Sequence, residues 1–129
     1  MPTGIAVDSS GTIWVADTLN NRIQSFVPSS NTWTVFLGPT GKGQTNFKVP
    51  WGVTVAPDGS IWVSDTGNFG TVSMSTAGVI NLIATQGSMG IPSVSNGSSG
   101  IYPFAIAFSG DTVYLSDIWN NRVVVLTTG

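Results

Sequence analysis

The feature that most restricts the fold of this chain is an internal repeat that occurs three times. Each copy begins with a proline and a short apolar run, passes through a turn into a second apolar run, and ends that run in an aspartate. The prolines are Pro2, Pro50 and Pro103, and the aspartates are Asp17, Asp65 and Asp117. Self-similarity at a period of about 20–50 residues indicates an array of alike structural units.

Each repeat predicts short antiparallel β-strands. In the first repeat, Ile5–Val7 and Ile13–Val15 are apolar and rich in β-branched residues, and the turn residues Ser9–Gly11 separate them. Further strands are predicted at Ile23–Val27 and Thr32–Leu37, with counterparts in the second repeat at Val72–Met74 and Val79–Ala84. Four strands in a unit of about 40–50 residues are typical of a propeller blade.

The predicted fold class is all-β, with β-propeller blades of four antiparallel strands and three blades in the chain. The blades are expected at about residues 2–38, 50–85 and 103–129, and the last blade lacks its outer strand. Propellers typically have about 4–8 blades, so three blades do not close a ring and both end sheets would expose apolar faces. Two explanations remain: two copies associate into a closed six-bladed ring, or the sequence is a segment of a longer propeller.

The repeat resembles the NHL repeat, whose best-known members are six-bladed propellers. The residues that carry the resemblance are Pro2–Val7, Ile13–Asp17 and the Asn-Asn-Arg triplets at 20–22 and 120–122. The second repeat departs from this pattern with Phe69 and Gly70, and the third has Ala105 in place of glycine. Propeller enzymes that look similar, including the amidating lyase and streptogramin lyase families, rely on His or metal clusters, and this chain contains no His. The resemblance therefore transfers no catalytic residue to it.

Composition excludes several classes of function. The 129 residues are only 8% charged, with Lys+Arg 4 and Asp+Glu 6, and include no His, Cys or Glu. No imidazole base, thiolate metal site or disulfide is therefore available, and we expect no cofactor and no metal. Four cations are too few to neutralise a run of phosphates, and no apolar stretch has the length of a membrane span, so we expect neither nucleic acid nor membrane as a partner. Low charge with abundant Ser, Thr and Asn favours an extracellular or cell-surface setting, although the first residues show no signal-peptide pattern.

Aromatic and amide side chains recur in the loops that the repeat places on one face of the propeller. The two long inter-blade loops, residues 38–49 and 85–102, end on the same face. Flat rings beside amides and hydroxyls suit a sugar or a peptide, whereas the alternative is that the rings pack between blades. The candidate ligand-binding residues are Trp51, Phe69, Phe104, Trp119, Asn20, Asn68 and Asn120.

The repeated aspartates are expected to be structural. Each ends a strand and, in the first and third repeats, precedes an arginine, which favours the pairs Asp17 with Arg22 and Asp117 with Arg122. Asp65 is the equivalent carboxylate of the second repeat. The alternative is a metal cluster or a carboxylate pair for glycoside chemistry, but catalytic groups rarely recur in every blade.

The sequence thus predicts a non-enzymatic binding or scaffold module. Its neutral aromatic loop face would meet a protein or a glycan, and a second copy would complete the ring. The alternative is a segment of a larger propeller enzyme, a lyase or hydrolase, whose catalytic residues lie outside this chain.

Overall fold

The chain forms three antiparallel β-sheets, one for each repeat. The structure is a computed structural model and describes residues 1–38, 46–85 and 101–127. Blade 1 contains β1 (Pro2–Val7), β2 (Ile13–Asp17), β3 (Arg22–Val27) and β4 (Thr32–Phe36), hydrogen-bonded in that order. Blade 2 contains β5 (Pro50–Val55), β6 (Ile61–Asp65), β7 (Gly70–Met74) and β8 (Ile80–Thr85) in the same order.

Blade 3 has three strands within residues 101–127. These are β9 (Pro103–Ser109), β10 (Thr112–Asp117) and β11 (Arg122–Thr127), with β10 in the centre. The prediction of an all-β chain built from partial propeller blades is confirmed. Most of the two long inter-blade loops lies outside the described residues. Across the described ranges, no helix is long and apolar enough to cross a membrane.

The same irregularities recur in all three blades. We call β1, β5 and β9, the first strand of each blade, the inner strands. In each of them the pairing register shifts after the proline, which places a β-bulge at Thr3, Trp51 and Phe104. After its aspartate, each second strand enters a single 3₁₀ turn, at Thr18–Asn20, Thr66–Asn68 and Ile118–Asn120. Bulges re-aim side chains at the ends of strands. The repeat therefore brings bulges and 3₁₀ turns together at one end of the blades.

The apolar core lies between the blades. Because side chains alternate along a strand, one face of each sheet packs against the next sheet. The first cluster joins Trp14 and Ile23 of blade 1 to Val63 and Met74 of blade 2, among other residues. A second cluster joins Trp62 of blade 2 to blade 3, and its buried residues are Ala56, Trp62, Ala84, Ile101, Val113, Leu115, Val124 and Leu126.

Close approach of the inner strands depends on glycine. A Cβ atom at Gly4 would lie 2.8 Å from the carbonyl oxygen of Trp51, and one at Gly52 would overlap the carbonyl oxygen of Phe104. Neither position has room for a larger residue unless the neighbouring backbone moves. Each internal junction between blades therefore requires a glycine after the bulge.

A threonine hydroxyl also crosses each internal junction. Thr18 Oγ1 donates to the carbonyl oxygen of Pro50 at 2.7 Å, and Thr66 Oγ1 donates to the carbonyl oxygen of Pro103 at 2.5 Å. Both threonines are buried. Glycine and threonine together fasten blade 1 to blade 2 and blade 2 to blade 3.

The outer faces of the end blades are exposed and apolar. On blade 1, Ile5 and Val7 point away from blade 2 and are 70% and 60% exposed. On blade 3, Val123 and Tyr114 point away from blade 2 and are 65% and 40% exposed. We call these surfaces the free face of blade 1 and the free face of blade 3. Their exposure is what the sequence predicts for a row of blades that has not closed.

Candidate functional site

The three 3₁₀ turns carry the predicted aspartate sites. In blade 1, Arg22 Nε donates to Asp17 Oδ2 at 2.8 Å. The amide of Asn20 donates to both oxygens of the same carboxylate at 3.1 and 3.2 Å. The Arg22 hydrogen bond holds the pKa of Asp17 below its usual value, against the opposing effect of burial. This carboxylate is therefore ionised and fully engaged within its own blade.

Blade 3 repeats this arrangement. Arg122 Nε donates to Asp117 Oδ2 at 2.7 Å, and the amide of Asn120 donates to the same carboxylate at 2.9 and 3.0 Å. The backbone N–H of Tyr102 adds a hydrogen bond to Asp117 Oδ1 at 2.9 Å. Asp117 ties the entry of the blade to its second and third strands.

Blade 2 differs because Gly70 stands where the other blades have arginine. Asp65 is buried and accepts hydrogen bonds from the backbone N–H of Lys48 at 2.8 Å and from the Asn68 amide at 2.7 Å. Burial raises the pKa of Asp65 to about 6, although both hydrogen bonds favour its ionised form. Three equivalent aspartates thus occupy two electrostatic environments.

The asparagines predicted as ligand contacts point toward these carboxylates. Asn20, Asn68 and Asn120 each donate an amide hydrogen bond to the aspartate three residues earlier. Asn68 also donates to the carbonyl oxygen of Asn46 at 2.8 Å. These contacts explain why each turn has an asparagine, and any role of the three amides in ligand binding stays a prediction.

Two of the predicted aromatic residues form a stack. The rings of Trp51 and Phe104 lie 4.5 Å apart between centroids, with an interplanar angle of 21°. Both residues occupy bulge positions of adjacent inner strands, and both are half-buried. Together with Thr3 they border an open groove of about 680 Å³ along the three inner strands. Because the bulge recurs in adjacent blades, the two rings at this repeat position stack into one aromatic surface.

The other two predicted rings meet through a residue that sequence reasoning missed. Tyr102 contacts Phe69 and Trp119 edge-on, at centroid distances of 5.2 and 6.0 Å. Tyr102 directly precedes Pro103, so the repeat alignment gives it the position of Val49 and Met1, which are not aromatic. Trp119 itself is 70% exposed. The four predicted rings thus belong to two aromatic groups, the Trp51–Phe104 stack and the Phe69–Tyr102–Trp119 group.

The side chains at this end of the blades suit the binding of a ligand by packing against aromatic rings. In the part of the chain that the structure describes, no three acidic side chains come close enough to hold a metal ion. The three carboxylates are engaged by their own turns, whereas the rings present flat, uncharged surface. Aromatic faces of this kind pack against sugar rings or apolar side chains.

Comparison with known proteins agrees with this architecture. The sequence matches the NHL repeat over residues 1–26 and 47–69, which cover the first strands of the first and second repeats. No curated protein sequence matches the chain.

Solved structures resemble the whole row of blades. Catalytically inactive virginiamycin B lyase from Staphylococcus aureus with quinupristin is 22% identical, with a TM-score of 0.73 over 99% of this chain and 38% of its own. A streptogramin B lyase is 19% identical, with a TM-score of 0.72 over 98% of this chain and 37% of its own. A luciferin-regenerating enzyme is 17% identical, with a TM-score of 0.61 over 91% of this chain and 37% of its own. The chain thus spans little more than a third of these proteins, and at such identities the likeness is one of fold. The first and second repeats thus match the NHL repeat, in a chain whose fold is that of part of a β-propeller.

Proposed function

We propose that this chain is a non-enzymatic binding module, which presents its aromatic loop face to a protein or a glycan and pairs with a second copy to close a six-bladed ring. The observation that carries the binding role is the exposed ring of Trp119 beside Tyr102, close to the half-buried turn of blade 2. A tryptophan that is 70% exposed contributes little to the core of its own chain. Large rings held at a surface by their neighbours favour recognition.

The composition of the face narrows the kind of ligand. Its stacked rings carry no charge, and the nearby carboxylates of Asp17 and Asp117 are paired with arginine. A neutral pyranose or an apolar side chain would cover the rings without leaving a charge unpaired.

Binding by this face is tested with Trp119→Ala. We expect a ligand identified on a glycan or peptide array to lose at least about tenfold in affinity, as interface tryptophans often do when truncated. The matched control is Leu19→Ala, because Leu19 holds the equivalent turn position in blade 1 and is also exposed, at 63%. Equal affinity of the wild type and Trp119→Ala for every ligand found would remove this face from the proposal.

Pairing of two copies is supported by the relation between the free faces. In both internal junctions, the side of a blade that carries the Trp14 or Trp62 position packs against the opposite side of the next blade. The free face of blade 3 is the side that carries this position, where it has Tyr114. The free face of blade 1 is the opposite side, the one that packs against such a position in the internal junctions. A second copy therefore offers each free face the type of surface that covers its counterparts inside the chain.

A segment of a larger propeller enzyme is the alternative. It is favoured by the lyases among the similar structures, of whose length this chain spans 37–38%. In that case the catalytic residues would be supplied by blades outside this sequence. Failure of the chain to self-associate or to bind any ligand, together with activity of a longer protein that contains it, would favour this alternative.

A further inference from the structure

The free face of blade 3 departs from the internal junctions at both fastening positions. Ala105 stands at the position that Gly4 and Gly52 hold in the other two blades. Its methyl group occupies the space through which the next inner strand approaches in those blades. Ala105 is exposed on this face. A neighbouring inner strand set as close as Trp51 is to Gly4 would overlap the Ala105 Cβ atom.

The second difference is that blade 3 lacks the threonine hydroxyl. Ile118 stands at the position that Thr18 and Thr66 hold in the other blades, and it is 39% exposed at the start of its 3₁₀ turn. Isoleucine offers no donor to the carbonyl group of an incoming proline. The two changes are independent in sequence and affect the same junction.

We propose that the free face of blade 3 binds the free face of blade 1 of a second copy through a wider, purely apolar junction, which makes it the separable joint of the ring. This inference rests on the proposed pairing of two copies. Compared with the internal junctions, the joint lacks the close strand approach and the Thr-to-Pro hydrogen bond. It retains apolar contact, through Tyr114, Val123 and Val125 on one side and Ile5 and Val7 on the other.

The free face of blade 1 has space for such a contact. A hollow of about 620 Å³ lies on this face, bordered by Ile5, Val15, Gln24 and Trp33 among others. In the first internal junction, Trp14 shares a buried cluster with Val53 and Val63, the blade 2 counterparts of Ile5 and Val15. Tyr114 has the position of Trp14 in its own blade, so the partner's hollow is where its ring would insert. The only charged side chains in β1–β4 are Asp17 and Arg22, which are paired at one end of the sheet, so apolar contact meets no unpaired charge.

Ala105→Gly/Ile118→Thr tests the proposal, because it gives the joint both fastening residues of the internal junctions. We expect its dimer dissociation constant, measured by sedimentation equilibrium, to fall roughly tenfold or more below that of the wild type, since each ring contains two such joints and each gains a hydrogen bond. Ala105→Gly/Ile118→Val is the matched control, because valine has the shape of threonine without its hydroxyl. Ala107→Gly is a second control, because its counterparts Ala6 and Thr54 carry a Cβ atom in the internal junctions.

The outcomes separate this inference from the proposed ring. A dimeric wild type with a tighter double variant supports both, and a monomeric wild type with a dimeric double variant overturns both, because the natural faces then form no joint. A dimeric wild type whose affinity the double variant leaves unchanged or weakens overturns the joint alone. Monomers in both cases overturn the joint together with the ring. Circular dichroism of each variant establishes that the blades remain folded in these comparisons.

Discussion

At the scale of single residues, the three equivalent aspartates show how one missing cation changes a site. Asp17 and Asp117 each accept a hydrogen bond from an arginine five residues later, at 2.8 and 2.7 Å. Asp65 is more deeply buried than Asp17 and Gly70 gives it no such partner, and burial raises its pKa to about 6. The blade 2 carboxylate therefore opposes folding when it is ionised.

This difference predicts a pH dependence of stability that belongs to Asp65. The pKa of Asp65 is 3.8 in the unfolded chain and about 6 in the folded chain. Between these pH values the folded chain keeps a proton that the unfolded chain has lost. The contribution of Asp65 is therefore fully present below about pH 4 and is lost as the pH rises through about 6. A pKa raised by about two corresponds to on the order of 2–3 kcal/mol of unfolding free energy. Urea unfolding across this range should show a slope that Asp65→Asn removes.

Asp17→Asn is the control of opposite sign. The hydrogen bond from Arg22 lowers the pKa of Asp17, so this carboxylate stabilises the fold above pH 3.8 and loses that effect as the pH falls through its lowered pKa. Its variant should be destabilised at neutral pH and close to wild type in acid. An identical pH slope in Asp65→Asn and the wild type would contradict the environment described for Asp65.

At the scale of strands and turns, the junction threonines connect neighbouring blades. Thr66→Val keeps the shape of the side chain and removes the hydroxyl that donates to the carbonyl oxygen of Pro103 at 2.5 Å. We expect a loss of about 1–2 kcal/mol of unfolding free energy, because the change leaves a buried carbonyl group without this donor. The exposed Thr34 of β4 provides the control, since Thr34→Val should change stability by less than about 0.5 kcal/mol. Equal effects of the two substitutions would show that the hydroxyl does not fasten the junction.

The strands could be predicted because their sequence signal is local, a short apolar run between turn residues. Apolar runs bounded by turn residues located β2 and β3 closely. At the other boundaries, β1 begins at Pro2 and not Ile5, β4 ends at Phe36 and not Leu37, β7 begins at Gly70 and not Val72, and β8 begins at Ile80 and not Val79. The single 3₁₀ turns were not predicted. They occupy only three residues each, and a helical turn of that length has no apolar period that a sequence pattern could reveal.

The details of the candidate site were less predictable because they depend on contacts between distant residues. The repeat placed Asn20, Asn68 and Asn120 in loops, but their direction toward a carboxylate follows from the turn geometry. Tyr102 joins the aromatic surface although its repeat counterparts are not aromatic. Val49 has a φ of 48°, which a β-branched residue rarely adopts, and its N–H donates to Asn21 Oδ1 of the preceding blade at 2.8 Å. Pattern alone indicates none of these contacts.

At the scale of the whole molecule, the proposed ring depends on the two free faces. The internal junctions show that an apolar blade face in this chain is covered by the next blade, and both end blades leave such a face exposed. Exposed apolar surface of this extent favours association. Because the two free faces are of complementary kinds, the proposed association of two copies would close the ring.

Sedimentation equilibrium of the wild-type chain tests whether two copies close into a ring. We expect a reversible species of twice 13.4 kDa whose population rises with protein concentration, with no larger species beyond it, because a closed ring leaves no free face. Contradiction would come from a mass of 13.4 kDa at every concentration, or from open-ended growth beyond the dimer.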